Sequence, residues 1–327
     1  MAKPAIQALH QPRGGNVPAM LFNLAMVVLA FASLISGWPT DHPAWIIFIT
    51  IVLAYFQHCW TIIFHEDSHY SLYAARWHNI FNGRIVGTLL LIPFEIFRQV
   101  HIRHHAKMNT PDDFEQWPYS DPDKSLAFRR CFLVFDILFG AWLAPYIYNR
   151  AFFVKHTPMT DPAIRRKVWF EFALIALFWG TTISLVAYYD AWRGFAFGYV
   201  IPAILTGWIQ TIRKLTEHLG LPAGDPMRGA RTVLPQRPFG RWLAWTSFHI
   251  ESHGLHHKFP QMPHRNLEKA YALLEDGEAA PEVTFPTYWR AMRDMLPHLA
   301  NPGIGLNAPM QPQRVAASVG TASDTAW

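Results

Sequence analysis

Two histidines four residues apart, His65 and His69 in the stretch IIFHEDSHYSLY, close a strongly apolar run. As letters, HEDSH fits H-E-x-x-H, in which one helix offers two imidazoles to zinc and a glutamate serves as the general base of a metalloprotease. As spacing, it is only a pair of donors on one helical face. The other histidines decide between these readings. The chain carries 17 in 327 residues, and most fall in four tight groups. They are His65 with His69; His101, His104 and His105 in VHIRHHAKMN; His218 in RKLTEHLGLP; and His249, His253, His256 and His257 in FHIESHGLHHKFP. Positions i, i+3 and i+4 share a helix face, so each HxxHH triplet presents its imidazoles together. Neutral imidazole suits iron, zinc, copper or nickel. A lone histidine such as His218 is ordinarily a satisfied core residue, and an isolated HxxxH pair is often incidental. Two HxxHH triplets accompanying such a pair are very hard to obtain by chance. His10, His42, His58, His78, His156, His264 and His298 stand singly and receive no site role.

The elements that must carry these donors are apolar. Hydrophobic residues make up 51% of the chain and charged residues only 16%, which disfavours a soluble globular protein. A hydrocarbon core of about 30 Å needs roughly 20 helical residues at 1.5 Å each. Four segments qualify, at 18–37, 44–64, 168–189 and 195–212, and they form two hairpins with brief outer loops. The first also resembles a signal peptide, but its long leader and the second run close behind it favour an uncleaved helix. Two shorter apolar stretches, 85–97 and 131–148, read as helices lying in or dipping into the interface. The second of the pair of long spans ends directly at His65. Residues 1–17 form a polar, basic N-terminal segment, 18–300 a single membrane domain, and 301–327 a Pro/Gly-rich tail expected to be disordered.

Lys and Arg set the orientation. Lys3 and Arg13 precede the first span. Lys124, Arg129, Arg130, Arg150, Lys155, Arg165, Arg166 and Lys167 lie between the hairpins, and Arg213 and Lys214 follow the last span. The loop at 38–43 has neither residue type and that at 190–194 only Arg193. Both termini, the central region and all four histidine groups are therefore expected on the cytoplasmic side. The net charge of +5 is modest and clustered, and without a nucleic-acid-binding motif no nucleic-acid partner is expected. Cys59 and Cys131 lie in apolar stretches, so no disulfide framework is indicated.

The order HxxxH, HxxHH about thirty residues on, a single histidine after the last span, then HxxHH followed by KFPQMPHRNL resembles the membrane fatty acid desaturase superfamily, which also contains hydroxylases and alkane monooxygenases. HIRHHAKMNTPDD and EHLGLP are similar to its second box and lone-ligand segment, and the resemblance covers roughly residues 40–275. It implies an all-α integral membrane protein with four spans, interfacial helices and a cytoplasmic helical cap that holds two irons. The ligands it implies are His65, His69, His101, His104, His105, His218, His253, His256 and His257. His249, one turn before His253, stands as a further neighbour or as a donor to a ligand. Three residues separate the histidines of the first box, unlike the longer spacing of animal-type acyl-CoA Δ9 enzymes, which speaks against an acyl-CoA substrate.

The chemistry agrees with that resemblance. Taking hydrogen from an unactivated methylene needs an oxidant made from O2, which zinc, lacking redox chemistry, does not generate. Desaturation of a fatty acyl chain is the first expectation and hydroxylation the second. Two electrons per turnover must come from an external donor of the ferredoxin or cytochrome b5 type, since the chain has no haem or iron–sulfur motif of its own. Glu217 and Glu251, adjacent to ligand histidines, are the leading candidates to hydrogen-bond them. Glu66, Asp112, Asp113 and Glu115 are weaker ones. A protease would use three ligands and leave most of the clustered histidines unexplained. A metal transporter would carry its ligands at mid-membrane depth, where this sequence has almost none.

Overall fold

The computed structural model describes residues 2–10, 16–274 and 278–306. It is mostly helical. The helices are α1 (Ala2–Ala8), α2 (Val17–Ser36), α3 (Pro43–Ser68), α4 (Arg76–Leu89), α5 (Phe94–Ala106), α6 (Leu126–Phe153), α7 (Pro162–Tyr188), α8 (Trp192–Phe195), α9 (Ile201–His218), α10 (Pro238–Thr246), α11 (His253–Lys258), α12 (Leu267–Tyr271) and α13 (Tyr288–Met295). A π-helical turn at Ala196–Val200 joins α8 to α9, so Trp192–His218 runs as one long helix. Two-residue strands at Thr232–Val233 and Thr284–Phe285 pair in parallel.

Local signals explain the ends of the long helices. Proline stands in the first turn of α2, α3 and α7, where its missing N–H costs nothing. Asp161 caps α7 by accepting from the Ala163 N–H, and Ser125 caps α6 by accepting from the Phe128 N–H. Gly37 ends α2 in the left-handed conformation, at φ 66°. Helix α3 does not stop at His65 but runs on to Ser68, with His69 as its C-cap. That extra turn keeps both histidines on one face.

Helix α3 is central, packed on α2, α4 and α9. Its lower half, Phe56, Cys59, Ile62, Ile63 and Phe64, forms one core with Phe94 and Phe97 of α5 and with Phe248 and Ile250 ahead of α11. Helices α6 and α9 touch backbone to backbone where Gly140 faces Gly207. A Cβ on Gly140 would lie 2.9 Å from the Gly207 carbonyl oxygen, and one on Gly207 would lie 2.7 Å from the Ala141 Cα. By contrast, α7 exposes Trp169, Phe170, Leu177, Phe178, Ile183 and Leu185. Such a band suits a lipid solvent and would be anomalous in water.

Among the described residues five helices, rather than the four expected, are long and apolar enough to cross a membrane: α2, α3, α6, α7 and Trp192–His218. The addition is α6. The apolar stretch 131–148, assigned to the interface by its basic flanks, extends in both directions into a 28-residue helix. At 1.5 Å per residue that length suffices to span. The helix is interrupted at Phe139, whose φ −129° and ψ 25° leave the helical region. The other interfacial candidate, 85–97, is divided between α4 and α5, which meet at a 103° bend and together also pass the length and apolarity test.

Residues 301–306, assigned from the sequence to a disordered tail, are packed instead. Gly303 accepts from the Gly220 N–H at 2.9 Å, and the Ile304 and Gly305 N–H groups donate to Tyr119 and Leu221. Ile304 is buried. Residues 307–327 lie outside the described residues. At the other end, Ile6 and Leu9 in and just after α1 pack against the cluster that includes Leu255, Met262 and Leu267.

Candidate metal centre

The helices deliver nine histidines from four places to one region. His65 and His69 come from the end of α3, His101, His104 and His105 from α5, His218 from the last turn of α9, and His253, His256 and His257 from α11. They sort into two groups whose ligating atoms lie within 4.8 Å of one another: His65, His69, His101, His105 and His256 in one, His104, His218, His253 and His257 in the other. The sorting follows helical geometry. On α5, His101 and His105 are four apart and enter the first group, while His104 turns to the second. On α11 the assignment is crossed, with His253 and His257 in the second group and His256 in the first. Each HxxHH box therefore serves both groups.

Within each group the Nε2 atoms face one another. His101 lies 3.0 Å from His69 and 3.1 Å from His105, and His105 lies 3.0 Å from His256. In the second group His218 and His253 are 2.9 Å apart, His253 and His257 3.1 Å, and His104 and His257 3.2 Å. Neutral imidazoles converging lone pair to lone pair are poor neighbours unless a cation lies between them. Ligands at about 2.1 Å from a first-row ion sit about 3 Å from one another when cis. His65 adds two buried ring nitrogens with no hydrogen-bond partner. The donor set fits two first-row metal ions held by nitrogen alone. Burial, reinforced by neighbouring imidazoles, holds the pKa of His69, His253, His256 and His257 well below the usual histidine value. They are thus in the neutral form that a metal requires.

The outward nitrogens are held by partners the sequence had ranked low. His104 Nδ1 lies 2.7 Å from Asp113 Oδ2, and His101 Nδ1 lies 2.9 Å from Glu115 Oε2. Asp113 is itself fixed by the N–H groups of Asn109 and Glu115. Burial alone would raise the Glu115 carboxyl, but His101 and His104 beside it hold its pKa well below the ordinary carboxylate range. Asp112 faces outward to Arg103. The His218 Nδ1 approaches the Gly229 carbonyl oxygen at 3.2 Å.

The two acids ranked first stand elsewhere. Glu217 is bound by the Arg213 guanidinium at 2.9 and 3.2 Å, and its Oε2 lies 3.5 Å from Nε2 of His253, the nitrogen turned toward the other ligands. Glu251 accepts from the Ser247 hydroxyl and touches no clustered histidine among its hydrogen bonds. His249 also stands outside both groups, in a turn where it and Phe248 have φ near 57°. Its nearest charged partner is Glu268, at 3.9 Å. Burial, with Arg241 adding to it, lowers the His249 pKa to about 4.

One histidine was passed over. His264 is fully buried, with Nε2 2.7 Å from Nδ1 of His256 and 3.1 Å from Glu66 Oε1. A third set of possible metal donors, His65, Glu66 and His264, forms there. No spacing marked His264, because α11 ends at Lys258 and a loop brings residue 264 back beside it. In HEDSH, then, Glu66 faces His264 and Asn16, whose Nδ2 donates to it at 2.7 Å.

Comparison with known proteins agrees with this architecture. The family model for fatty acid desaturases matches residues 42–291. An endoplasmic-reticulum omega-3 fatty acid desaturase from Vigna radiata is 26% identical over 230 residues, 64% of this chain and 59% of the relative. An sn-1 oleoyl-lipid 12-desaturase from Picosynechococcus is 25% identical over 300 residues, 84% of this chain and 80% of the relative. A sphingolipid delta(4)-desaturase/C4-monooxygenase from Rattus norvegicus is 23% identical over 280 residues, 80% and 74% of the two chains. The chain thus spans under two thirds of the Vigna protein's length and most of the other two. With a match over most of its length, and with long apolar helices of an integral membrane protein carrying clustered histidines, the chain belongs to the fatty acid desaturase family.

Proposed function

We propose that this protein is an O2-dependent di-iron desaturase that introduces a double bond into a lipid acyl chain. The observation that carries the reading is the sorting of nine histidines into two neighbouring nitrogen-only groups, with each HxxHH box serving both. Iron bound there would supply the redox chemistry that turns O2 into an oxidant for an unactivated methylene. Loss of two hydrogens from adjacent methylenes, with O2, two external electrons and two protons, yields one alkene and two waters. The chain's own groups set the geometry. Asp113 and Glu115 orient His104 and His101. The Phe97 ring lies parallel to His101 with 5.4 Å between centroids and, with Phe64 and Phe94, excludes water on that side.

Sidedness is part of the reading. His104 and His218 have ring centroids 5.0 Å apart, so the chain must return to one face between the end of α5 and the end of α9. Helix α7 and Trp192–His218 form a hairpin and account for two crossings, which leaves no full crossing for α6. The same argument, applied between His69 and His101, makes the bent α4–α5 pair re-entrant rather than spanning. Four crossings then put both termini on the metal's face, and the Lys/Arg bias makes that face cytoplasmic. The electron donor, of ferredoxin or cytochrome b5 type, would dock there.

Hydroxylation is the second reading, favoured by the similarity to the Rattus desaturase/C4-monooxygenase. It leaves one oxygen atom on the chain and releases one water. The test is the fatty acid profile of cells expressing the wild type or His104→Ala, together with iron per purified chain. A new double bond that disappears with His104→Ala, and about two irons per chain, support the desaturase. A hydroxylated chain selects the second reading, and zinc without iron overturns both.

A further inference from the structure

The side chain in HEDSH that a protease would use as its base is instead the middle of a buried chain of contacts. Asn16, at the start of α2, donates to Glu66 Oε2 at 2.7 Å, Glu66 Oε1 lies 3.1 Å from His264 Nε2, and His264 Nε2 lies 2.7 Å from His256 Nδ1. All four residues are buried, and Glu66, His256 and His264 fully so. The far nitrogen of His256 faces His105 at 3.0 Å inside the five-histidine group. A neutral histidine that ligates through one nitrogen carries its proton on the other, and the partner of that proton fixes the ring's tautomer and rotation.

We propose that His264 is a positioning residue for the metal held by the five-histidine group, its Nε2 accepting the Nδ1 proton of His256. This rests on the di-iron reading but concerns one ligand of one group. The geometry has a reason. Of the three α11 ligands, His256 alone crosses to the first group, while His253 and His257 serve the second. Among the described residues the Nδ1 atoms of His253 and His257 have no hydrogen-bond partner, whereas that of His256 does. The crossed ligand is the one with a dedicated acceptor. His264 lies on a separate turn, and Glu66 lies on α3, next to His65 in sequence. Glu66 Oε1, 3.1 Å from the same His264 nitrogen, is a close neighbour and not a hydrogen-bond partner when His256 donates there. The third donor set, with His65, Glu66 and His264, offers a rival: His264 could itself ligate an ion.

The test uses full-length protein purified in detergent with its metal, as wild type, His264→Gln and His264→Leu. Metal per chain is measured, along with the rate of metal loss to an external chelator and the ligand-field spectrum after cobalt substitution. Gln at 264 retains an acceptor for His256, and Leu does not. Positioning predicts two metals retained in all variants and one of the two released about 10–100-fold faster in His264→Leu. It also predicts that the rate is largely restored in His264→Gln. A third metal in wild type, or loss of one whole metal in both His264 variants, would make His264 a ligand and overturn the positioning role. Unchanged release in His264→Leu, even with a lower melting temperature, would make the contact merely structural and overturn it too. A wild type without two metals would sink the di-iron reading itself, a result separable from the other two.

Discussion

His104 of α5 and His257 of α11, 153 residues apart in the chain, face each other Nε2 to Nε2 at 3.2 Å. The approach brings the second and third boxes to one place, yet the neighbours His105 and His256 belong to the other group. His104→Ala should therefore deplete one metal and His256→Ala the other. Each single variant is expected to retain about half the wild-type iron and the double variant almost none. Elemental analysis of purified protein reads this directly. Equal, complete loss from either single variant would mean that the groups bind as one.

The Asp113 carboxylate has four hydrogen-bonding partners: His104 Nδ1 and the N–H groups of Asn109, Glu115 and Gln116. Asp113→Asn preserves the shape but exchanges a carboxylate acceptor for an amide, and should weaken metal retention about 10–100-fold. Asp112→Asn, next door, is the control. Its side chain is 63% exposed and paired only with Arg103, so its effect should lie within the 0–1 kcal/mol of surface pairs. Chelator competition on both proteins distinguishes a role at the metal from a general effect of lost charge.

The Gly140–Gly207 contact places α9, and with it His218. Gly207→Val would drive a side chain into the Ala141 backbone, and overpacking of this kind costs about 1–3 kcal/mol. The expected result is a lower melting temperature in detergent with preferential loss of the metal held by His218. Intact metal content in a destabilised variant would show that α9 yields without moving its last turn.

Stability should fall in mild acid partly through His249. Its native pKa of about 4 lies below the unfolded value of 6.5, so the unfolded chain binds more protons between those values. The contribution is intact above pH 6.5, declines as pH falls, and is fully lost near pH 4. At 1.36 kcal/mol per unit it reaches about 3 kcal/mol at most. Arg241, Glu268 and His264 are the charged or titratable groups around it. His249→Gln should flatten the melting temperature between pH 7 and 5. An unchanged slope would assign the acid sensitivity to other groups.

Much of this molecule is written in local sequence. Apolar runs of about twenty residues require long helices, because a bilayer leaves no other partner for backbone polar groups. HxxxH and HxxHH present donors on one face because the helix repeats every 3.6 residues. The same logic could not say which group a donor enters. His104 and His105 are adjacent, but they diverge by about 100° around α5, and only the arrival of α3, α9 and α11 gives each direction a destination. Nor could hydropathy decide whether α6 crosses, since length and apolarity are shared by a crossing helix and one lying along the interface. Adjacency in sequence favoured Glu217 and Glu251 as partners of ligand histidines, whereas Asp113 and Glu115 reach them from the loop after α5. His264 depends on a chain reversal that no periodicity records. The sequence by itself determined the donors, their local spacing and the apolar helices. The tertiary structure decided their division into two groups and the contacts that orient them, because those depend on where separate helices meet.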